Sequence, residues 1–489
     1  GIGIFDSINL AFSTAGTGIY IGNGGDGTKT STVTIDSGAD IKLNGVNGVG
    51  AIVTTNATVN FETGAKIQFG GDGVGIFGQK GAHINDNGGT LVTNGHSVER
   101  IRVTEGKSET KVDLTLETGN IMSHVINGEA IVNAGVTVDS KVNSKNIIAL
   151  MADGNKNPSP SHTTWIGTPG YDAENNGKID LSNAVTSTAM YLDSSRGINK
   201  GEIIMGDKST GIYGIYKNST SVYSDALPGT KNTGIITTTA NSKITIGNES
   251  SAIYAIGFDK VENNGEIEGK DKSVGIYAKN TTSSTKPVNV NNTGDITLGK
   301  GSAGIYISPE ISTATVVNSG NITVGDSTLN SSGDVESTSV GIFVKNKTNL
   351  TTTGDVTVGN KGFTLYGNDS TINVNGGNYD FSNSGSLAYL ENNAVLNYNN
   401  SGTLTTSSEP MLYIINSKAN MNNNDIIVTS KGTGIYMNGV STFSGWNDMT
   451  LNDGSTGIYA DNSDATVTGR KITGTSNKAK GIVARNSSV

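Results

Sequence analysis

The sequence lacks cysteine altogether and is poor in proline, tryptophan and charged residues. With no cysteine among 489 residues, it excludes a disulfide framework, a thiolate metal site and a cysteine nucleophile. No apolar run reaches about 18 residues, the length at which a segment is expected to span a bilayer. Lysine and arginine form no cluster and the net charge is −9, which argues against nucleic acid as a partner. We therefore expect this chain to contact neither membrane nor nucleic acid.

Residue patterns for catalysis or metal binding are equally scarce. The four histidines are far apart, and none has a carboxylate at the spacing of a metal site or a catalytic triad. We interpret each of them as a surface residue: His83, His96, His124 and His162. Residues 22–27 are similar to half of a calcium-binding nonapeptide, but that site needs tandem copies, so a turn is the simpler interpretation. The sequence predicts no catalytic residue, no metal site and no cofactor, and indicates that the chain is not an enzyme.

Glycine is abundant, at 67 residues, and asparagine, threonine and serine accompany it. This composition suits many tight turns joined by short β-strands. Toward the C-terminus, a Gly-Ile-aromatic tripeptide or a close variant recurs every 23 or 24 residues. Its aromatic position is occupied by Phe343, Tyr366, Tyr389, Tyr413, Tyr436 and Tyr459. A period of this size is typical of a solenoid, whose turns bury their apolar faces only by stacking on their neighbours.

One repeat is clearest in residues 292–320, where three short strands are each followed by a Gly or Asn turn. We therefore predict an all-β fold, namely a right-handed parallel β-helix (β-solenoid) with three short strands per turn of about 23 residues and surface loop insertions. Right-handedness is expected because left-handed β-helices usually show strict hexapeptide repeats. Since a repeat array grows along one axis, we expect residues 1–489 to form a single continuous body.

Strand alternation predicts which side chains face outward. If the isoleucine of each tripeptide is buried, the aromatic residue that follows it is external. The expected external aromatic stripe comprises Tyr277, Tyr306, Phe343, Tyr366, Tyr389, Tyr413, Tyr436 and Tyr459. Its rings either stack on one another and stabilise the rod or offer a platform for a glycan or another partner. Three residues further on, we expect a ladder of turn asparagines: Asn280, Asn346, Asn392, Asn416, Asn462 and Asn486.

Three insertions interrupt the period, near residues 153–171, 217–233 and 326–339. Insertions in solenoids leave as surface loops without disturbing the stacked core, so they are the best candidate binding elements. The first is rich in proline and aromatic residues, although Trp165 would equally serve as a cover on the rod. The candidate ligand-binding residues are Trp165, Tyr171, His162, Tyr223 and Asp225.

Residues 273–280, 339–346 and 455–462 resemble the passenger repeats of very large type V autotransporter adhesins from fusobacteria. The resemblance covers most of the chain and implies a passenger fragment displayed on the extracellular side of the outer membrane. A signal peptide would precede it, and an outer-membrane domain would follow it. The resemblance further implies an adhesin that binds a host-cell glycan of the galactose or N-acetylgalactosamine type, a host immune receptor such as TIGIT, or both.

Other functions remain open at this point. The same family includes arginine-inhibitable adhesins that bind other bacteria. Self-association between cells through the side of the rod is a further non-enzymatic alternative. Polysaccharide-degrading enzymes also share the parallel β-helix, although the charges here are scattered along the sequence.

Overall fold

A computed structural model describes residues 8–10, 16–22, 30–154, 172–216, 234–280, 287–310, 313–381, 384–429 and 431–489. These residues form strands and turns, and none of them lies in a helix. They belong to two compact units. Unit 1 comprises Gly1–Gly247 and Ile253–Phe258, and unit 2 comprises Asn248–Ala252 and Asp259–Val489. Each unit is a right-handed parallel β-helix, and the described residues complete about 17 turns in all, which confirms the predicted fold class.

Each turn carries three strands, and most strands pair with their counterparts in the neighbouring turns, so that three faces result. We call these the first face, the aromatic face, which carries the repeated tyrosines, and the asparagine face, where several strands end in a buried asparagine. On the first face, the pairing is interrupted between Thr90–Val92 and Leu114–Leu116 and between Tyr379–Asp380 and Thr403–Thr406. In one turn of unit 2, the three strands are Ile296–Leu298, Ala303–Ile307 and Ala314–Asn318. Gly and Asn turns keep the strands this short, as the sequence predicts.

The strands of unit 1 follow this order from face to face. The first face contains Ile8–Leu10, Asp40–Leu43, Lys66–Phe69, Thr90–Val92, Leu114–Leu116, Thr137–Ser140, Lys178–Leu181, Glu202–Met205 and Lys243–Ile246. The aromatic face contains Thr17–Ile21, Gly48–Val53, Gly73–Gln79, Val98–Thr104, Ile121–Ile126, Ile148–Asp153, Thr188–Asp193, Thr210–Ile215 and Ser251–Ile256, of which the last strand belongs to unit 1 from Ile253 onward. The asparagine face contains Ser31–Ile35, Ala57–Glu62, His83–Asn87, Lys107–Thr110, Glu129–Val132, Ala173–Asn175, Arg196–Asn199 and Ile235–Thr238. A short extra pair joins Ser144–Lys145 and Ala184–Val185.

Unit 2 has the same three faces. Its first face contains Glu266–Gly269, Ile296–Leu298, Ile322–Val324, Val356–Val358, Tyr379–Asp380, Thr403–Thr406 and Asp425–Val428. Its aromatic face contains Val274–Lys279, Ala303–Ile307, Val340–Lys345, Phe363–Asn368, Ser386–Glu391, Leu412–Ile415 and Lys480–Arg485. Its asparagine face contains Lys260–Asn263, Val288–Asn292, Ala314–Asn318, Thr348–Thr352, Thr371–Val374, Val395–Tyr398 and Lys418–Met421. Two long strands, Thr433–Leu451 and Thr456–Gly474, each run through all three faces.

Parallel, in-register pairing stacks identical positions of the repeat. Ile276 lies opposite Ile305, which in turn lies opposite Ile342, and all three are buried. Ile435 and Ile458 stack in the same way toward the C-terminus. Such columns of isoleucine, leucine and valine form the core, and each fully buried side chain contributes about 1.5 to 3 kcal/mol to stability. The alternation in the sequence therefore assigns the inner and outer side chains correctly.

A column of glycines makes the corner before the first face. At Gly294, Gly320 and Gly354, an added Cβ would overlap the carbonyl oxygen of the corresponding glycine one turn earlier. Neighbouring turns approach each other too closely here for any side chain. Close packing between turns therefore explains why glycine recurs before the Asp or Asn that opens these first-face strands.

A ladder of buried asparagines lies beside this glycine column in unit 2. The side-chain amide of Asn263 donates to the side-chain oxygen of Asn292 (2.7 Å), and that of Asn292 donates to Asn318 (2.8 Å). Each amide also donates to the carbonyl of the glycine two residues later, as in Asn292 to Gly294 (2.9 Å). We call Asn263, Asn292 and Asn318 the buried asparagine ladder. Its hydrogen bonds link three successive turns in the interior of the protein.

Five of the six predicted turn asparagines adopt the left-handed turn backbone, and Asn280 does not, but the two side chains described below bond to the backbone and not to one another. Five of them have a positive φ of 47° to 54°, namely Asn346, Asn392, Asn416, Asn462 and Asn486. However, the amide of Asn346 donates to the Pro309 carbonyl (2.6 Å), and the side-chain oxygen of Asn416 accepts from the Val440 amide (3.0 Å). These two side chains bond to the backbone of a neighbouring turn, because the left-handed turn directs the amide toward it.

The three insertions interrupt the repeat at two different corners between faces. Residues 326–339 contain an antiparallel hairpin, in which Thr328–Leu329 pairs with Val335–Ser337 between a first-face strand and an aromatic-face strand. Residues 155–171 and 217–233 lie outside the described residues. Their described neighbours, Gly154 and Asp172 in one case and Tyr216 and Gly234 in the other, all lie between the aromatic and asparagine faces.

Candidate functional site

The most extended chemical feature of unit 2 is a row of aromatic rings on the outside of the aromatic face. We call it the aromatic ladder: Tyr277, Tyr306, Phe343, Tyr366, Tyr389, Tyr413, Tyr436 and Tyr459. Every ring is half-buried, while the residue before it is buried in the core. The rings therefore point outward, at the positions that the sequence predicts.

The ladder is tightly stacked over its first five rings. Successive ring centroids are 4.3 to 5.4 Å apart and the ring planes differ by 23° or less, from Tyr277 to Tyr389. In this geometry each ring covers the faces of its neighbours, and solvent reaches mainly the ring edges and the hydroxyl groups. This part of the ladder offers no open ring face on which a ligand could stack. The mutual stacking expected from the sequence is thus present here.

The ladder opens toward its C-terminal end. The ring planes of Tyr389 and Tyr413 differ by 32°, and those of Tyr413 and Tyr436 by 49° at a centroid distance of 5.7 Å. The centroids of Tyr436 and Tyr459 are 6.1 Å apart. The rings of Tyr413 and Tyr436 therefore diverge as a wedge and do not stack face to face. We call this place the Tyr413–Tyr436 wedge.

Two neighbouring side chains accompany the tilt of Tyr413. Its hydroxyl donates to Glu409 Oε2 (3.1 Å), only four residues earlier in the chain. The ring of Phe363 stands edge-on to Tyr366, Tyr389 and Tyr413, with centroid distances of 5.4 to 6.3 Å. Edge-to-face contacts of this kind favour the positive ring edge against the negative ring face. They hold Tyr413 away from the parallel stack.

Carboxylates fix the hydroxyl groups of the ladder. Tyr366 donates to Glu391 Oε1 (2.7 Å), which also accepts from the side-chain amide of Asn368 (2.6 Å). Burial and the adjacent carboxylate raise the pKa of Tyr366, and burial with the charge of Glu409 raises the pKa of Tyr413. Both phenols therefore stay protonated at physiological pH. The outer edge of the ladder combines phenol groups with carboxylate oxygens that can accept further hydrogen bonds.

The corresponding column of unit 1 changes its chemistry along its length. Tyr191, Tyr213 and Tyr254 stack at 5.3 and 5.5 Å. In the turns before Tyr191, however, the same position is held by Phe77, Arg102, His124 and Met151 in succession. Two adjacent turns thus place a cation or an imidazole where the repeat otherwise places a ring or an apolar side chain.

His124 lies between two carboxylates, and this corrects its interpretation as a surface residue without a carboxylate partner. It is only 7% exposed; Nδ1 lies 3.3 Å from Glu99 Oε2, and Nε2 lies 3.2 Å from Asp153 Oδ2. Glu99 also accepts from Nε and Nη2 of Arg102. Residues 25 and 29 positions apart in sequence meet because the solenoid stacks them, so sequence spacing conceals the cluster. His83 and His96 are partly exposed beside Glu109 (3.2 Å) and Asp72 (3.8 Å).

The His124 cluster should make the stability of unit 1 depend on pH. Burial opposes the charged imidazole, but hydrogen bonds to Asp153 and Glu99 outweigh burial and raise the pKa of His124. Burial likewise opposes the ionised Glu99, but hydrogen bonds from His124 and Arg102 lower the pKa of Glu99. The contribution of His124 is complete below about pH 6.5 and is lost as pH rises through its raised pKa. That of Glu99 is complete above about pH 4.3 and is lost as pH falls through its lowered pKa.

We therefore expect His124→Gln to destabilise the protein more at about pH 5.5 than at about pH 9, because only the charged imidazole attracts both carboxylates. The measurement is the denaturant midpoint of wild type and variant at both pH values. His96→Gln provides the control, since His96 is partly exposed and lies 3.8 Å from Asp72. An equal loss at both pH values would contradict the role of the charged form.

A groove lies next to this cluster on the aromatic face of unit 1. It has a volume of about 370 Å³, and we call it the Arg102 groove. Val49, Val74 and Ile121 contribute an apolar surface, and Asp72, Glu99 and Arg102 contribute charge. Val49, Val74, Glu99 and Ile121 stack in successive turns, three positions before the ladder column. The groove was not predicted, because it follows from departures from the repeat.

Trp165, Tyr171, His162, Tyr223 and Asp225 all lie outside the described residues. In the part of the chain that the structure does describe, no three histidine, aspartate or glutamate side chains are grouped so as to hold a metal ion. Nor does that part contain a helix that is long and apolar enough to cross a membrane.

Comparison with known proteins adds no relative. No protein-family model matches the chain, and no curated protein matches it.

Proposed function

We propose that this chain is a passenger fragment of a cell-surface adhesin, which binds a host-cell glycan or a host receptor protein through the outer surface of its aromatic face. The resemblance of the Gly-Ile-aromatic repeats to type V autotransporter passengers supports the class of protein and the extracellular location. The parallel β-helix is compatible with that class, although enzymes share the fold.

The observation that carries the proposal is the Tyr413–Tyr436 wedge. A ring face that is free of its stacking neighbour can contact the apolar face of a sugar ring or an apolar side chain of a partner. Beside it, the Tyr413 hydroxyl and Glu409 offer a donor and acceptors for hydroxyl groups. Aromatic surface combined with a few fixed polar groups is typical of recognition sites. The tight part of the ladder supports this site by holding the turns in register.

The two partner classes are distinguished by competition. A glycan-binding adhesin is expected to lose cell binding when free galactose or N-acetylgalactosamine competes. An interbacterial adhesin of the arginine-inhibitable kind is expected to lose bacterial binding when free arginine competes. Self-association is expected to cause aggregation without any host cell. Immobilised protein can be tested against a glycan array and receptor ectodomains, TIGIT included, in the same experiment.

If the wedge binds the partner, Tyr436→Ala should weaken host-cell binding by about tenfold or more, because it removes one wall of the wedge. Flow cytometry with labelled protein at graded concentrations measures this change. Tyr306→Ala is the matched control. It also removes a ring between two ladder neighbours, here Tyr277 and Phe343, but in the tight part of the ladder. Tyr306→Ala should retain binding. Equal binding by the two variants would contradict a site at the wedge.

A further inference from the structure

We propose that the Arg102 groove of unit 1 is a second ligand site, which takes a neutral saccharide ring with adjacent free hydroxyl groups. The inference deepens the proposed recognition function and rests on it for the biological role, but it uses different residues in a different unit. It is carried by the free hydrogen-bonding groups of the groove, its apolar surface and its net charge.

The groove presents one open donor group. Arg102 donates from Nε and Nη2 to Glu99, which leaves Nη1 without a hydrogen bond to a described residue. Glu99 accepts from Arg102 with both oxygens and lies beside His124 as well, so it is a positioning residue that holds the guanidinium. A guanidinium held by two hydrogen bonds to one carboxylate keeps its remaining N–H groups in a defined direction.

The groove also presents one open acceptor group. The side chain of Asp72 is 66% exposed, and its Oδ1 accepts from the Ser97 amide (2.9 Å). Its Oδ2 has no hydrogen bond to a described residue. Asp72 and Arg102 both line the groove, so a ligand there meets an acceptor and a donor together. Adjacent hydroxyl groups satisfy both, because each hydroxyl donates one hydrogen bond and accepts others.

The apolar surface and the charge select among polar ligands. Val49, Val74 and Ile121 are half-buried; Val49 and Val74 are adjacent in the stack, and Glu99 separates them from Ile121. The Val49–Val74 surface suits the C–H face of a sugar ring. Glu99 balances the charge of Arg102, so Asp72 gives the lining one net negative charge, which disfavours an anionic ligand. A volume of about 370 Å³ lies in the range of small-ligand sites. A neutral, polyhydroxylated ring is the class of ligand that fits all of these features.

The replacement of ladder rings by Arg102 and His124 supports a function at this place. Both residues forgo the ring stacking seen from Tyr191 to Tyr254, and they bring partly buried charges that need Glu99 and Asp153 as partners. Local departures of this kind from a consistent repeat are expected at functional sites. Stacked rings alone would have stabilised the solenoid more simply.

The test uses the whole chain with labelled valine and isoleucine methyl groups, titrated with the methyl glycosides of galactose, glucose and mannose. We expect at least one glycoside to shift the methyl signals of Val49, Val74 and Ile121. Asp72→Ala and Arg102→Met should each weaken that binding by about tenfold or more. Arg485→Met is the control, since Arg485 also pairs with a carboxylate, Asp461, but lies in unit 2.

Two results would overturn the inference: no shift of these methyl signals with any of the three glycosides, or shifts that persist in both groove variants. Asp72 is exposed, so Asp72→Ala keeps the test decisive even if Arg102→Met disturbs folding. Failure here is distinguishable from failure of the proposed function. Loss of host-cell binding in Tyr436→Ala without any glycoside in the groove would refute only the second site. Glycoside binding in the groove with unaltered cell binding in Tyr436→Ala would refute only the wedge.

Discussion

Arg100→Met should cost the protein about 3 to 5 kcal/mol of stability, because it leaves a carboxylate buried without its cation. Asp86 is fully buried, and Arg100 is only 7% exposed. Arg100 donates to Asp86 through Nε and through Nη2 (2.7 Å to Oδ1), and Nη2 also donates to the Gly89 carbonyl (2.5 Å). Its guanidinium carbon lies 5.3 Å from the ring centre of Phe61. This ion pair thus stands inside the core of unit 1.

Denaturant unfolding of the wild type and the variant measures the loss. Arg485→Met removes an exposed pair with Asp461 and is expected to leave the midpoint unchanged. The double variant Asp86→Leu with Arg100→Met should recover much of the stability, since apolar side chains can replace a buried ion pair. An Arg100→Met variant as stable as the wild type would show that water reaches Asp86.

Asn292→Leu should destabilise the protein by on the order of 3 kcal/mol, although leucine has a similar shape. The change removes the acceptor of the Asn263 amide and the donor to the side-chain oxygen of Asn318. Both partners are fully buried, so water cannot easily replace the lost hydrogen bonds. The cost therefore comes mainly from the groups that the variant leaves unsatisfied.

Asn397→Leu is a matched control for this variant. Asn397 also stands in the middle of an asparagine ladder, donating to Asn373 (2.8 Å) and accepting from Asn420 (2.9 Å). That ladder lies on the outer side of the asparagine face, where the side chains are only partly buried. We expect Asn397→Leu to cost less than about 1 kcal/mol by the same denaturant measurement. Equal losses in the two variants would contradict burial as the cause.

The sequence predicts the structural features that recur in every turn, but not the contacts that occur only once. The period and the alternation around Ile276 and Tyr277 predict the solenoid and the outward ladder, because a parallel stack requires the same side chain at the same position in each turn. The buried asparagine ladder also has a signal, since Asn-x-Gly recurs at Asn263, Asn292 and Asn318. That signal is recognisable only once the glycine corner is known to be too tight for a side chain.

Other features depend on contacts between residues that are not part of the sequence repeat. Arg100 and Asp86 are 14 residues apart and meet in the core from the aromatic face and the asparagine face of two successive turns. His124 meets Glu99 and Asp153 from two different neighbouring turns, so a search for local spacing overlooks the cluster. The wedge depends on ring tilts of tens of degrees, which contacts with Glu409 and Phe363 favour. The Gly-Ile-aromatic repeat does not predict such angles.

The in-register stack also bears on how such a chain can change its length during evolution. Tyr366 pairs with Tyr389, and Tyr389 pairs with Tyr413, so residues 367–389 amount to one turn. Recombination between the corresponding codons would delete or duplicate one turn and keep the inner and outer positions of every later turn. Slippage by a single residue would instead exchange those positions in the affected strand. Genes for such proteins can therefore vary in steps of whole repeats, while the aromatic surface they encode keeps its chemistry and changes only its extent.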